Sequence, residues 1–181
     1  MGPGEHQIIA EMLRLLRDAR SDPLRAQVLL TQVEGMASKL HGMHEGTEIG
    51  RWKTLRVPNI PAVAPVSVSA VGQARWPQRA LVVAAYGAIL SDAPLTGLGA
   101  SSVSFQILAE GGDKSLIING QGADYMLFLA AFGVAQNWYP IGMVAEGADS
   151  TWGVGFKNFH TANTYTPEFY FRFVPLPPAK K

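Results

Sequence analysis

The feature that most constrains this chain is a change in hydrophobic period near Trp52. Apolar residues recur at steps of three and four before it, whereas they alternate with polar residues in several segments after Pro65. The first spacing is typical of an amphipathic helix, and the second is typical of a strand with one buried face. The stretch between them carries three prolines, which disfavour a helix. The sequence therefore predicts a helical segment over residues 1–50, an extended proline-containing arm over 51–65 and a β-domain over 66–181.

Two amphipathic helices are predicted in the first segment. The first covers about His6 to Arg20, and the second runs to about Leu40 with Asp22 as its N-cap and Pro23 in its first turn. Short helices gain most of their stability from tertiary packing, so both apolar faces must be covered. They pack either on the rest of this chain or on other copies and a larger particle. The assembly interface expected in the second case consists of Ile8, Met12, Leu16, Leu29, Val33, Met36, Pro58, Pro61 and Pro65.

The β-domain is predicted from alternating and continuous apolar runs. Alternating runs begin at Val66, Val103, Trp152 and Phe169, and longer apolar runs cover 80–90, 116–118, 125–132 and 138–144. Gly-rich and Asp-rich turns separate them, as in all-β domains. About eight strands without intervening helices favour a mainly β fold. We expect a jelly-roll-like antiparallel β-sandwich with an N-terminal helical segment and a Pro-rich tether.

Composition excludes several classes of function. The net charge is +1 and the basic residues are scattered, so no nucleic-acid footprint is expected. The longest apolar run, Ala80 to Leu90, is far shorter than the roughly 20 residues of a spanning helix, so no membrane span is expected. The first residues lack a signal-peptide pattern, which predicts synthesis in the cytoplasm without a leader. Only 16% of residues are charged. This composition suits either a surface covered by neighbouring subunits or a compact β-domain rich in glycine turns.

No constellation of catalytic or metal-ligating residues emerges from the sequence. His41 and His44 lie near Glu45 and Glu48, but glycines flank the pair and the expected state is a solvated loop. We therefore expect no cofactor, no metal and no enzymatic activity. Two alternatives stay open, a calcium site formed by acids in Gly-rich turns and an enzyme that uses two converging carboxylates such as Asp124 and Asp149. The turn acids are Asp113, Asp124, Glu146 and Asp149.

Aromatic residues next to turns suggest a possible ligand platform. Trp76, Trp138 and Tyr139 lie at the ends of predicted strands, whereas Trp152 follows the inward phase of its strand and is assigned to the core. Flat aromatic faces on a surface can cover an apolar sugar face. A carbohydrate-binding β-sandwich module is therefore the alternative function, and it requires Trp76 and Trp138 to be exposed.

A family resemblance rests on three stretches between about Ala80 and Val174. These are SVSFQILAEGG, NWYPIGMVAEGADSTWGVGFKN and TYTPEFYFRFVPL. A V-x-F-x-I strand precedes a glycine turn, a middle strand runs into a proline, and a strand ending in Asn leads to a closing aromatic strand. This order resembles the small β-sandwich virion proteins of tailed bacteriophages, of the decoration, cement or head-fibre type. The resemblance implies no catalytic residues.

The resemblance implies a structural role in a virus particle. Such a subunit decorates or cements the capsid, or belongs to the tail or collar. Its partners are other copies of itself and other virion proteins, and its location is the virion after synthesis in the host cytoplasm. The N-terminal helices and the arm are the expected anchor.

Overall fold

Two helices and nine strands make up the described part of the chain. The computed structural model describes residues 2–22, 24–68, 72–90, 103–108, 115–116, 138–147, 150–158 and 161–179. Helix α1 spans Pro3–Ser21 and helix α2 spans Ala26–Gly42. The strands are β1 (Lys53–Arg56), β2 (Ser67–Val68), β3 (Gly72–Arg75), β4 (Ala80–Leu90), β5 (Val103–Leu108), β6 (Ser115–Leu116), β7 (Tyr139–Ala145), β8 (Thr151–Asn158) and β9 (Thr166–Pro175). The fold is therefore mainly β with two N-terminal helices. This confirms the prediction of a mainly β fold with an N-terminal helical segment.

The strands form two antiparallel sheets. The first sheet has the order β1-β9-β4-β7, and the second has the order β2-β8-β5-β6 with β3 also paired to β8. All of these pairings are antiparallel. Within the described residues, β1 pairs only with β9 and β3 pairs only with β8. Both strands therefore lie at sheet edges.

An inner core fills the space between the two sheets. On β9, Phe169, Phe171 and Phe173 are buried, while the residues between them face the other side. Trp152, Val154 and Phe156 of β8 are buried in the same cluster. The predicted inward phases of these two strands are therefore confirmed. The inner core consists of the buried residues Val57, Ile60, Val63, Ala74, Trp76, Ala80, Val82, Ala85, Ile107, Tyr139, Ile141, Ala145, Trp152, Val154, Phe156, Tyr165, Phe169, Phe171 and Phe173.

Strand β4 is buried on both faces, as its continuous apolar run predicts. Residues 80–85 are all fully buried. Val82 packs in the inner core, whereas Leu81 and Val83 pack on the opposite side of the sheet. The register shifts between Val82 and Ala84 against both neighbouring strands. This bulge exchanges the two faces of the strand along its length.

The outer core lies between the helices and the first sheet. Met12, Leu16, Leu29 and Val33 are buried against Leu81 and Val174. The outer core consists of Met12, Leu15, Leu16, Ala19, Ala26, Leu29, Leu30, Val33, Ala37, Leu40, Leu81, Val83, Ala84, Trp138, Val174 and Leu176. The helices therefore share a core with the sheet, and the first 50 residues are joined to it by direct packing.

Two glycines permit this close approach. Gly142 in β7 has a φ of +69°, and a Cβ there would lie 2.9 Å from Cβ of Leu16 in α1. Gly50 has a φ of +77°, and a Cβ there would overlap the backbone of His41. Its amide donates a hydrogen bond to the carbonyl of Pro175 at 3.0 Å. These positions need both a left-handed backbone and the absence of a side chain.

Helix α2 begins later than the sequence predicts. Its N-cap is Arg25, whose side chain forms no capping hydrogen bond, and Asp22 is the C-cap of α1. The predicted N-cap role of Asp22 is therefore wrong. The carbonyl of Asp22 instead accepts a hydrogen bond from the amide of Arg25 at 3.1 Å, which forms a turn between the helices.

The proline-containing arm is packed into the fold along most of its length. Residues Val57, Ile60 and Val63 are buried, whereas Pro58 and Pro61 are exposed. A polyproline-like chain has three residues per turn, so residues three positions apart point in the same direction. The amide of Val57 donates to the carbonyl of Phe169 at 2.8 Å. The arm is thus a wall of the inner core, and its first part is strand β1, so the prediction of a free tether over residues 51–65 needs correction.

A buried asparagine fixes the end of the arm. Asn158 is fully buried in β8, and its Nδ2 donates to the carbonyls of Val63, Ala64 and Asn163 at 2.8 to 3.2 Å. Val66, predicted to face inward, is instead 70% exposed with a φ of 51°. The reason is that pairing begins one residue later, at Ser67 opposite Asn158. The strand predicted over residues 125–132 lies outside the described residues.

Candidate functional site

The predicted assembly residues divide into buried and accessible groups. Four of them are buried inside the chain, namely Met12, Leu16, Leu29 and Val33. Ile8 and Met36 are half-buried, Pro58 and Pro61 are exposed, and Pro65 is half-buried. A helical stripe has one inner face, and the first sheet already occupies it. The buried four are therefore core residues, which corrects their assignment to an interface.

Accessible helical residues line a groove between α1 and α2. This interhelical groove has a volume of about 580 Å³. Its apolar floor includes Ile8, Met36 and Met43, and Met43 is 54% exposed. The other lining residues are Gly4, Gln7, Ala10, Glu11, Arg14 and Lys39. Grooves of this kind accept an amphipathic helix or another apolar segment of a protein.

Opposite charges balance at the rim of the groove. Arg14 forms ion pairs with Glu11 at 2.6 Å and with Asp18 at 2.7 Å. The hydrogen bond from Arg14 holds the pKa of the Glu11 carboxyl below its usual range. These pairs are exposed and contribute little to stability. They leave the groove without a strong field of either sign, which suits an apolar protein segment better than a polyanion.

The predicted aromatic platform is not on the surface. Trp76 is 0% exposed, and Trp138 and Tyr139 are each 7% exposed. The Trp76 ring packs on Trp152 with centroids 5.1 Å apart and on Phe171 at 5.4 Å. The prediction of exposure is wrong because a position next to a turn does not change the inward phase of the strand. The alternation of Gly72 and Ala74 with exposed Gln73 and Arg75 places Trp76 on the inward face.

The histidines and acids near the end of α2 have separate partners. The Nδ1 atom of His41 lies 2.9 Å from the carbonyl of Ile49, and Nε2 of His44 lies 2.6 Å from a carboxylate oxygen of Glu5. Glu48 forms ion pairs with Lys53 and Arg51, and its hydrogen bond with Lys53 lowers its pKa.

No three metal-ligating side chains gather anywhere in the described part of the chain. Of the turn acids, Glu146 pairs with Arg79 at 3.1 Å. Asp113, Asp124 and Asp149 lie outside the described residues, and so does His160.

A second groove lies between the edge strands of the two sheets. It has a volume of about 500 Å³ and is lined by Leu55, Arg56, Pro58, Asn59, Gly72, Gln73, Ala74 and Arg75. Arg56 forms an ion pair with Glu168, and the exposed charged ends of β1 and β3 discourage pairing with other strands. Nothing in this groove combines a nucleophile with a base.

An aromatic and arginine cluster on the outer face of the first sheet was missed by the sequence reasoning. Tyr86 of β4 lies opposite Tyr170 of β9, and Arg172 covers the ring of Trp138 at 4.0 Å from its centroid. The available signal is the outward phase of β9, in which Glu168, Tyr170 and Arg172 alternate with the buried phenylalanines. That phase is rich in hydrogen-bonding and aromatic groups rather than in small polar residues.

Comparison with known proteins adds no family to these observations, because no family model, curated protein or solved structure matches this chain. Neither helix described here is long and apolar enough to cross a membrane.

Proposed function

We propose that the protein is a non-enzymatic structural subunit of a tailed-bacteriophage virion, where it decorates or cements the capsid. Its partners are other copies of itself and capsid proteins, and a place in the collar or tail of the same particle is the variant of this role. In this proposal the two antiparallel sheets have jelly-roll-like connections. The protein is synthesised in the host cytoplasm and resides in the virion.

The interhelical groove is the observation that carries the proposal. The buried faces of α1 and α2 pack on the first sheet, whereas Ile8 and Met36 are only partly buried against that core and Met43 is 54% exposed. Part of the apolar floor therefore remains accessible. An accessible apolar floor, with a rim whose opposite charges balance, is typical of a site for another protein. The helices thus remain the attachment element, through the accessible part of the predicted stripe at Ile8 and Met36 together with Met43.

The exposed face of the arm adds to this support. Pro58 and Pro61 are exposed, while Ile60 between them is held in the inner core. A proline-rich segment that is already extended loses little conformational entropy when another protein binds it. This part of the predicted interface therefore stays in the proposal unchanged.

The test is incorporation into particles of the phage or induced prophage whose genome encodes the chain. Particles would be purified and the copies of this protein per capsid counted by quantitative mass spectrometry. Met43→Asp places a carboxylate on the groove floor, and we expect incorporation to fall by about tenfold or more, because burying an unpaired charge costs more than 1.4 kcal/mol.

Val28→Asp is the matched control. Val28 lies on α2, is 59% exposed and does not line the groove, and Met43, which caps α2, is 54% exposed. Both proteins should fold equally well, and the control should enter particles like the wild type. Absence of the wild-type protein from the particles would contradict the virion role. Equal incorporation of the two variants would contradict the role of the groove.

A further inference from the structure

A half-buried arginine on the outer face of the first sheet has no paired counterion among the described residues. No described carboxylate forms an ion pair with Arg172, and its Nε atom has no hydrogen-bond acceptor. Its guanidinium lies over the ring of Trp138, 4.0 Å from the centroid. Burial lowers the Arg172 pKa, and the charge of Glu34 on α2 opposes that effect. An arginine remains charged at neutral pH, so this site holds a cation without a direct anionic partner.

Two tyrosines extend the surface next to this cation. Tyr86 and Tyr170 are opposite each other in the pairing of β4 with β9, and both are half-buried. Their ring centroids lie 6.2 Å apart with a 39° angle between the ring planes. Tyr86 also contacts Trp138, with centroids 5.5 Å apart. Because two central strands hold these rings, their positions are fixed before any ligand arrives.

Glu168, which shares the outward phase of β9 with Arg172, already has other partners. Glu168 accepts a hydrogen bond from the hydroxyl of Tyr170 at 2.6 Å and forms an ion pair with Arg56. This hydrogen bond raises the Tyr170 pKa. Glu168 therefore holds Tyr170 in place and does not neutralise Arg172. The cluster offers a fixed cation beside fixed aromatic faces.

We propose that this surface binds an acidic saccharide, whose carboxylate accepts hydrogen bonds from Arg172 and whose ring lies against Tyr86 and Tyr170. A guanidinium pairs with a carboxylate in a planar, two-pronged geometry. The part of each tyrosine ring that stays accessible beside the outer core suits the apolar side of a pyranose ring. A neutral saccharide leaves the cation unpaired, and a small anion leaves the tyrosine faces uncovered. The ligand therefore needs both a carboxylate and a sugar ring.

This inference rests on different residues from the proposed virion role and does not depend on it. The candidate saccharide surface no longer includes Trp76 and Tyr139, because both are buried. Its residues are separate from those that line the interhelical groove.

The test is calorimetric titration of the full-length protein with three probes. These are an oligosaccharide of glucuronic acid, the glucose oligosaccharide of the same length and linkage, and acetate. We expect the acidic oligosaccharide to bind with a dissociation constant of about 1 mM or below, and each of the other two at least about tenfold more weakly. Arg172→Gln should abolish the preference for the acidic probe, and Arg172→Lys should keep part of it because the positive charge remains.

Two further variants separate binding from folding. Tyr86→Ala removes one ring while keeping Arg172, and we expect at least about a fivefold loss of affinity for the acidic probe. Arg75→Gln is the control, since Arg75 is an exposed arginine on β3 of the other sheet, and its affinity should equal that of the wild type. Thermal unfolding of each variant establishes which of them are folded. If Arg172→Gln does not fold, Tyr86→Ala and the three probes decide the question.

Three results would overturn the inference. One is no heat of binding with the acidic oligosaccharide at about 10 mM. Another is unchanged affinity in a folded Arg172→Gln or Tyr86→Ala protein. The third is acetate binding as tightly as the oligosaccharide, which would mean that the site holds a small anion only.

Discussion

The two cores of this molecule differ in composition and in how they are assembled. The inner core contains Trp76, Trp152 and the three phenylalanines of β9, whose rings pack in edge-to-face or tilted pairs at centroid distances of 5.1 to 5.7 Å. The described buried residues of the outer core are aliphatic apart from Trp138. Facing sheets lie about 10 Å apart, and the aromatic side chains of the inner core fill that gap.

The strands that separate the cores belong to both of them. On β9, Phe173 is buried in the inner core and Val174 in the outer core. On β4, Val82 is buried in the inner core and Leu81 in the outer core. Loss of the helices would therefore expose one complete face of the first sheet, and this dependence can be tested.

Removal of residues 1–50 should have the largest effect on stability. The fragment 51–181 would expose Leu81, Val83 and Val174, each of which contributes about 1.5 to 3 kcal/mol when buried. Because a domain of this size has a total stability of about 5 to 15 kcal/mol, we expect the fragment to lose cooperative unfolding and to aggregate. Urea denaturation followed by circular dichroism measures this. A sharp transition in the fragment would show that the inner core is independent of the outer one.

Single truncations compare the cores directly. Phe171→Ala should lower the free energy of unfolding by about 3 to 5 kcal/mol, and Leu16→Ala by about 2 to 5 kcal/mol, because each leaves a cavity at a fully buried site. Since the two residues lie on opposite faces of the first sheet, their effects should add within about 0.5 kcal/mol in the double variant. Leu24→Ala, at a 96% exposed leucine, is the control and should change stability little. A large departure from additivity would mean that the cores are coupled through the sheet.

Two glycine substitutions should change the free energy of unfolding the least, and in opposite directions. Gly142→Ala should lower the free energy of unfolding by about 1 to 3 kcal/mol, because the backbone has a positive φ and the new Cβ meets Leu16 at 2.9 Å. Gly35→Ala should raise it by about 1 kcal/mol, since Gly35 lies inside α2 with open space around it. Thermal unfolding measures both. If Gly142→Ala is tolerated, α1 does not need its close contact with β7.

Local periodicity predicted most of the elements but little of their arrangement. The alternation along β8 and β9 identified their buried residues, and the continuous run of β4 identified a strand buried on both faces. The bulge between Val82 and Ala84 has no signal in a run of apolar residues, because either face could be inward. The helical stripes were found, but periodicity shows which face is apolar and does not show what covers it.

The errors at the candidate sites have a common physical cause. The positions of Trp76 and Trp138 next to turns suggested exposure, yet a residue at the end of a strand still follows the inward phase of that strand. The prolines of the arm indicated an extended chain correctly. The burial of Ile60 between them depends on a period of three, which resembles neither a helix nor a strand. The outer aromatic cluster requires knowledge that β4 and β9 are neighbours, which sequence spacing does not contain.

The packing of α1 and α2 on the first sheet also orders events during synthesis. The helices leave the ribosome before the strands, and β7 and β9, which supply part of their cover, follow about a hundred residues later. Such sequence-distant contacts slow folding, since a long loop must close before they form. The apolar faces of α1 and α2 are therefore open to solvent and to chaperones for most of translation, and the fold closes only when β9 emerges.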